Sequence, residues 1–118
     1  MAGLTTHILD LTHGQPASNV KVDLYLVISE SNRQYVKSAI TNADGRLDQA
    51  FLKSEEMEMA QYEIVFHIGD YYNRMDLNLN EPVFLNRVPV QFGISDVEAH
   101  YHVPLLVSPW GYQVYRGS

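Results

Sequence analysis

At 118 residues the chain is sized for a single domain, 1–118, long enough to bury a core but too short to hollow out a deep pocket within one copy. Lys and Arg total 8 against 14 Asp and Glu, a net charge of −6 with no basic run, which argues against a nucleic-acid partner. There is no cysteine, so disulfides and thiolate metal sites are excluded and packing alone must hold the chain together.

The N-terminal MAGLTTHILDL lacks a basic segment leading into a long apolar core, and no apolar run approaches the ~18 residues of a membrane span. A soluble cytoplasmic protein with no membrane partner is expected. Within that start, LTTHILDL at 4–11 reads as a strand, followed by turn chemistry in HGQPASN. VKVDLYLVI at 20–28 alternates, placing Val20, Val22, Leu24 and Leu26 on one face. SESNRQ at 29–34 reads as a polar turn, and VKSAI returns toward TNADGR, where Asp44-Gly45 marks a tight turn just ahead of Arg46.

KSEEMEMAQ at 53–61 has the strongest local helix propensity, over only about two turns. YEIVFHI at 62–68 reads as a strand, GDYYNRMDLN has room for a short helix, VPVQFGI and YHVPLLV read as further strands, and WGYQVYRG as the last. Roughly eight short strands divided by turn clusters predict an all-β sandwich of two sheets. The chain closes on HYHVPLLVSPWGYQVYRGS; termini usually fray, so aromatic, cation and hydroxyl groups leading out of an apolar run suggest a docked tail that is part of a site.

The candidate chemistry is concentrated in histidine and arginine. A histidine taken alone is most often a surface or hydrogen-bonded structural residue; His13, in a turn before a glycine, and His67, at a strand end, fit that description. His7 differs, because period-2 counting puts it inside an apolar strand on one face with Thr5 and Leu9. By the same count His100 and His102 share a face, with Tyr101, Val103 and Leu105 on the other. The H-x-H spacing offers two metal-ligand positions, with His7 or Asp96 as a third, but neither cysteine nor an H-E-x-x-H motif supports them, and no metal is expected. Ser108 before Pro109 reads as a turn residue, and no nucleophile elbow, P-loop or dinucleotide fingerprint is present. Arg46 and Arg116 in isolation read as exposed cations. Together with His7, His102 and Tyr115 they suggest an anionic or carbonyl-rich planar ligand, since histidine serves as a base and guanidinium holds oxyanion charge.

HILD near the start, GQPA after it, TNADGR in the middle and HYHVPLLVSPWGYQVYRGS at the end resemble the 5-hydroxyisourate hydrolase family, the enzymatic branch of transthyretin-like proteins. The resemblance runs in order over nearly the whole chain. It implies the transthyretin fold, two four-stranded sheets and one short helix, assembled as a homotetramer with sites between dimers. It implies hydrolysis of 5-hydroxyisourate to 2-oxo-4-hydroxy-4-carboxy-5-ureidoimidazoline in urate degradation, without cofactor or metal.

Carried over by position, His7, Arg46, His102 and Ser118 would be catalytic, while Tyr115, Arg116 and Gly117 would bind substrate with His7 and Arg46. The family pattern selects the second histidine of HYH, leaving His100 as a neighbour on the far side of the binding surface. The same scaffold permits a different function, a non-enzymatic carrier of a small aromatic ligand. Transthyretin itself lacks the residues matching His7, Arg46 and His102 and does not end in YRGS, so the resemblance favours the enzyme. Leu85-Asn86-Arg87 depart from the aromatic and proline residues that members commonly carry there.

Overall fold

The structure, a computed structural model, describes residues 2–75 and 77–117. Among them are β1 (Gly3–Asp10), β2 (Gln15–Pro16), β3 (Lys21–Ser29), β4 (Asn32–Ile40), β5 (Leu52–Lys53), β6 (Ala60–Phe66), helix α1 (Ile68–Asn73), β7 (Val88–Ile94), β8 (His100–Ser108) and β9 (Gly111–Val114). One sheet runs β2-β1-β8-β9 with β5 also on β1; the other runs β4-β3-β6-β7. This is the expected two-sheet sandwich with one short helix.

Alternation explains the sandwich. Leu4 and Ile8 of β1, Val22 and Leu24 of β3, Ile64 and Phe66 of β6 and Leu105 of β8 are all fully buried. Burying each such side chain contributes about 1.5–3 kcal/mol, enough to decide which face of every strand points inward. That choice sends Thr5, His7, His100 and His102 to the opposite face of their sheet, because successive side chains of a strand alternate.

Two expectations differ from the structure. KSEEMEMAQ forms only a single 3-10 turn at Ser54–Glu56, and β6 already begins at Ala60. The buried alternation of Tyr62, Ile64 and Phe66 outweighs the helix preference of a segment too short to nucleate. The polar turn after β3 is also shorter than SESNRQ, since β4 starts at Asn32 and pairs Ser29 directly.

Helix α1 covers one end of the sandwich through buried Ile68, Tyr71 and Tyr72. Its two tyrosine hydroxyls donate to buried Asp10 of β1, Tyr71 at 2.7 Å and Tyr72 at 2.8 Å, and His13 Nδ1 donates to the same carboxylate at 2.6 Å. Burial pushes the Asp10 carboxyl up, but these donors more than offset it and hold it below its ordinary value. Burial and the carboxylate next to it push the Tyr71 phenol up to about 12. Among the described residues, no helix is long and apolar enough to cross a membrane.

Candidate active site

The pairing of β1 with β8 is parallel, and its register sets Thr5 beside His102 and His7 beside Pro104. On its other side β1 meets three short pieces: β5 at Gly3 and Leu4, the 42–46 turn at His7, and β2 at Leu9 and Asp10. The turn is wedged between two small strands, and Arg46 arrives directly across from His7.

Asn42 builds that turn. Its Oδ1 accepts from the backbone N–H of Asp44 at 2.9 Å and of Arg46 at 3.2 Å, and its Nδ2 donates to Asp48 at 3.0 Å. Gly45 has φ 73° and donates its N–H to the Asn42 carbonyl, while its own carbonyl accepts from Ile8 N–H. A β-carbon there would lie 2.5 Å from the Ile8 carbonyl oxygen, so only glycine lets the turn approach β1 this closely.

The tail approaches from β9. The pairs Leu105↔Val114 and His102↔Gly117 belong to one register, which sets Pro104 opposite Tyr115. Proline has no N–H to donate, so the ladder breaks there and resumes where Gly117 N–H donates to the His102 carbonyl at 2.8 Å. Alternation along this extended tail puts Gly117 on the histidine face and Arg116 on the opposite one. The Arg116 guanidinium accordingly lies 4.1 Å over the Tyr101 ring and donates to the His100 carbonyl at 3.2 Å. Arg116 and Tyr115 border a separate hollow of about 300 Å³ with Val90, Phe92 and Tyr101.

The histidine face carries a cleft of about 450 Å³ lined by Thr5, Arg46, Asp48, Gln49, His100 and His102. His7 adjoins it on β1. The structure therefore brings together His7, Arg46, His102 and Gly117, and within one chain it turns Arg116 away; Ser118 lies outside the described residues. His100 does not occupy a far side, but lines the same cleft as His102, two residues along the same strand face.

Hydrogen bonds define what each ring can do. His7 Nε2 sits 2.9 Å from the Asp44 carbonyl, which only accepts, so His7 carries its proton on Nε2 and a neutral ring leaves Nδ1 free as a base. Burial lowers the His7 pKa below 6.5, and the Arg46 charge lowers it further. His102 is lowered by burial, then by Arg46, His7 and His100. Both rings are thus neutral at neutral pH, with a guanidinium beside them that supplies positive charge without taking part in proton transfer. Such a site can deprotonate a bound water and stabilise an oxyanion.

Asn42 and Asp48 enter this picture only through the structure, as does the contact of Thr5 with the histidines of β8. Thr5 shares the His7 face by simple alternation, and an asparagine opening an N-x-D-G turn is a readable Asx signal. The other histidines lie elsewhere: His13 on Asp10, and buried His67, whose Nε2 donates to Asp23 at 2.6 Å on the second sheet.

Comparison with known proteins identifies the family. The chain is 46% identical over 115 residues to 5-hydroxyisourate hydrolase 2 of Rhizobium meliloti, covering 98% of this chain and 95% of that one. The solved structure of Klebsiella pneumoniae 5-hydroxyisourate hydrolase superposes with a TM-score of 0.80 at 30% identity, over 100% of both chains. Transthyretin from Sparus aurata superposes with a TM-score of 0.85 at 20% identity, over 99% of this chain and 97% of that one, a likeness of fold alone. With the HIUase/Transthyretin family pattern matched from residue 4 to 117, nearly the whole described chain, this protein belongs to that family.

Proposed function

We propose that the protein hydrolyses 5-hydroxyisourate to 2-oxo-4-hydroxy-4-carboxy-5-ureidoimidazoline. The observation that carries this reading is the meeting of two neutral histidines and one guanidinium on a single sheet face, in a chain 46% identical over its length to a named 5-hydroxyisourate hydrolase. Hydrolysis adds water to a ring carbonyl and breaks the adjoining C–N bond. One proton of the water goes to the leaving nitrogen, and the other is released when the new carboxylic acid ionises.

In this reading His102, assisted by His7, orients and deprotonates the water. Arg46 holds the developing oxyanion by paired donors. Gly117 lets the tail lie against the His102 ring, Ser118 takes the catalytic role that the family resemblance gives it, and Tyr115 flanks the planar ring. Arg116 anchors this tail from behind through Tyr101 and the His100 carbonyl.

The cleft is open in a single chain, and strands β7 and β9 each end a sheet with one edge unpaired among the described residues. A homotetramer whose sites lie between dimers would complete the cleft, and light scattering on the purified protein reads its mass directly. We place the reaction in the cytoplasm.

The deciding experiment follows the ultraviolet decay of freshly generated 5-hydroxyisourate with purified protein and with His102→Asn. Rapid decay that the substitution cuts by about 10²-fold supports the assignment. Decay no faster than the buffer blank, from folded protein, overturns it.

A further inference from the structure

One hydroxyl links the two histidines of β8. Thr5 Oγ1 is 2.8 Å from His102 Nδ1 and 3.2 Å from His100 Nε2. Thr5 can reach both because the parallel register sets it beside His102, while His100 stands opposite Gly3, which has no side chain to intervene. His102 is half-buried in the cleft, and His100 is exposed at its edge. We infer that His102, Thr5 and His100 form a proton relay that carries the proton released in each turnover from the buried ring to solvent.

The relay rests on the hydrolase reading above, and the hydroxyl's valence dictates how it works. A hydroxyl has one proton to give. For His102 Nε2 to accept the water's proton, its Nδ1 must be protonated and donate to Thr5; the Thr5 proton then points to an unprotonated Nε2 of His100. When His102 takes the water's proton it becomes an imidazolium, and Nε2 passes that proton to the leaving nitrogen; when Nε2 then takes the proton of the new carboxylic acid, the Nδ1–H bond breaks as a new Thr5 O–H bond forms. The original Thr5 O–H breaks as His100 Nε2–H forms. The positive charge moves to His100, which gives a proton to water, the final acceptor.

His102 is left neutral with its proton on Nε2; once the product leaves, that proton passes to water entering the cleft and one returns through Thr5 to Nδ1, restoring the starting tautomer. Thr5 is therefore a positioning and relay residue, and His100 sets the tautomer of His102. The charged and titratable groups facing the trio are Arg46 and Asp48 from the turn and His7 from β1, with Lys53 of β5 opposite Gly3; Arg116 of the tail reaches the His100 carbonyl from the opposite face.

The test uses Thr5→Val, which keeps shape and strand preference but removes the hydroxyl, Thr5→Ser, which restores it, and His100→Gln. In ¹⁵N spectra of the ligand-free wild type, protonating His100 should move the His102 proton from Nδ1 to Nε2. Thr5→Val should abolish that coupling, and Thr5→Ser should keep it. In turnover at low buffer concentration, Thr5→Val and His100→Gln should lose about tenfold in kcat with KM unchanged, within the range of one acid–base contribution. Added imidazole buffer should restore the rate of both, while Thr5→Ser should need none.

A His102 tautomer indifferent to His100, or Thr5→Val turning over like the wild type without buffer dependence, overturns the relay. Absence of turnover in the wild type would remove the hydrolase reading instead, and the spectra would still decide whether the two rings are coupled.

Discussion

Gly117 leaves no room for a side chain against His102: a β-carbon at residue 117 would sit 2.7 Å from the ring Cδ2 and 3.4 Å from Pro104. The backbone bond between the two residues holds them at that distance, so Gly117→Ala must push either the ring or the tail. A displacement near 1 Å costs on the order of 10²-fold in a positioned reaction. We expect Gly117→Ala to lose kcat to that extent while the thermal unfolding midpoint stays within a few degrees, because the contact lies outside the core. Steady-state rates beside a melting curve check both.

The turn that presents Arg46 should be as sensitive as the arginine. Asn42→Ala removes the acceptor of two backbone N–H groups and the donor to Asp48. A lost hydrogen-bonding partner of this kind costs about 1 kcal/mol, and the rate should fall about tenfold or more as Arg46 loses its position. Gly45→Ala should be worse, since its β-carbon meets backbone. Full activity in Gly45→Ala would mean that Arg46 does not depend on the turn.

Acid should silence the site before it unfolds the chain. His7 and His102 both titrate below 6.5 when folded, so activity should be complete at neutral pH and fall as pH drops through those lowered values. Arg46→Gln removes one cause of the lowering and should move the residual activity's acid limb upward, toward 6.5. The sign for stability follows from linkage. The unfolded rings bind protons at higher pH than the folded ones, so stability declines as pH falls below 6.5 and through the folded values. A pH–rate profile of the wild type and Arg46→Gln reads the first effect, and chemical denaturation across the same range reads the second.

A second acid transition should come from Asp10. Its folded pKa lies below 3.8, so the stability it supplies is present above that value and is lost as pH falls through the folded value. Tyr72→Phe removes one donor and should cost about 1–3 kcal/mol at neutral pH by leaving a buried acceptor short of a partner. Urea denaturation at neutral pH and in mild acid separates this effect from that of the histidines.

Local pattern carried much of this architecture and part of the site. The alternation in LTTHILDL put His7 with Thr5 and away from Leu4 and Ile8, as the structure has it. GDYYNRMDLN does contain a helix, though it starts one residue earlier, at Ile68, because that side chain packs into the core. The segment before β6 misled, since helix propensity over two turns is weaker than burial of three alternating large side chains. β2 and β5 went unread because two-residue strands have no period; they exist only where β1 offers a partner. Arg116 shows the same limit: which way it faces depends on a register that crosses Pro104, and no local property of YRGS contains it.

The divided partner of β1 also governs how the sheets can grow. An exposed strand edge is a template for further chains, and a sheet with two such edges can extend without end. Here β2 and β5 are two residues each, too short to template another strand. At the far end of the other sheet, β4 carries Arg33 and Lys37 and joins β3 through two irregularities in register, features that discourage continuation. Among the described residues each sheet thus keeps one receptive edge, β9 and β7, and residues from both border the same hollow. Edges that lie together on one side of a molecule can be covered at once by one twofold partner. The broken edge along β1 thereby removes one of the two templates that an open-ended fibre would need.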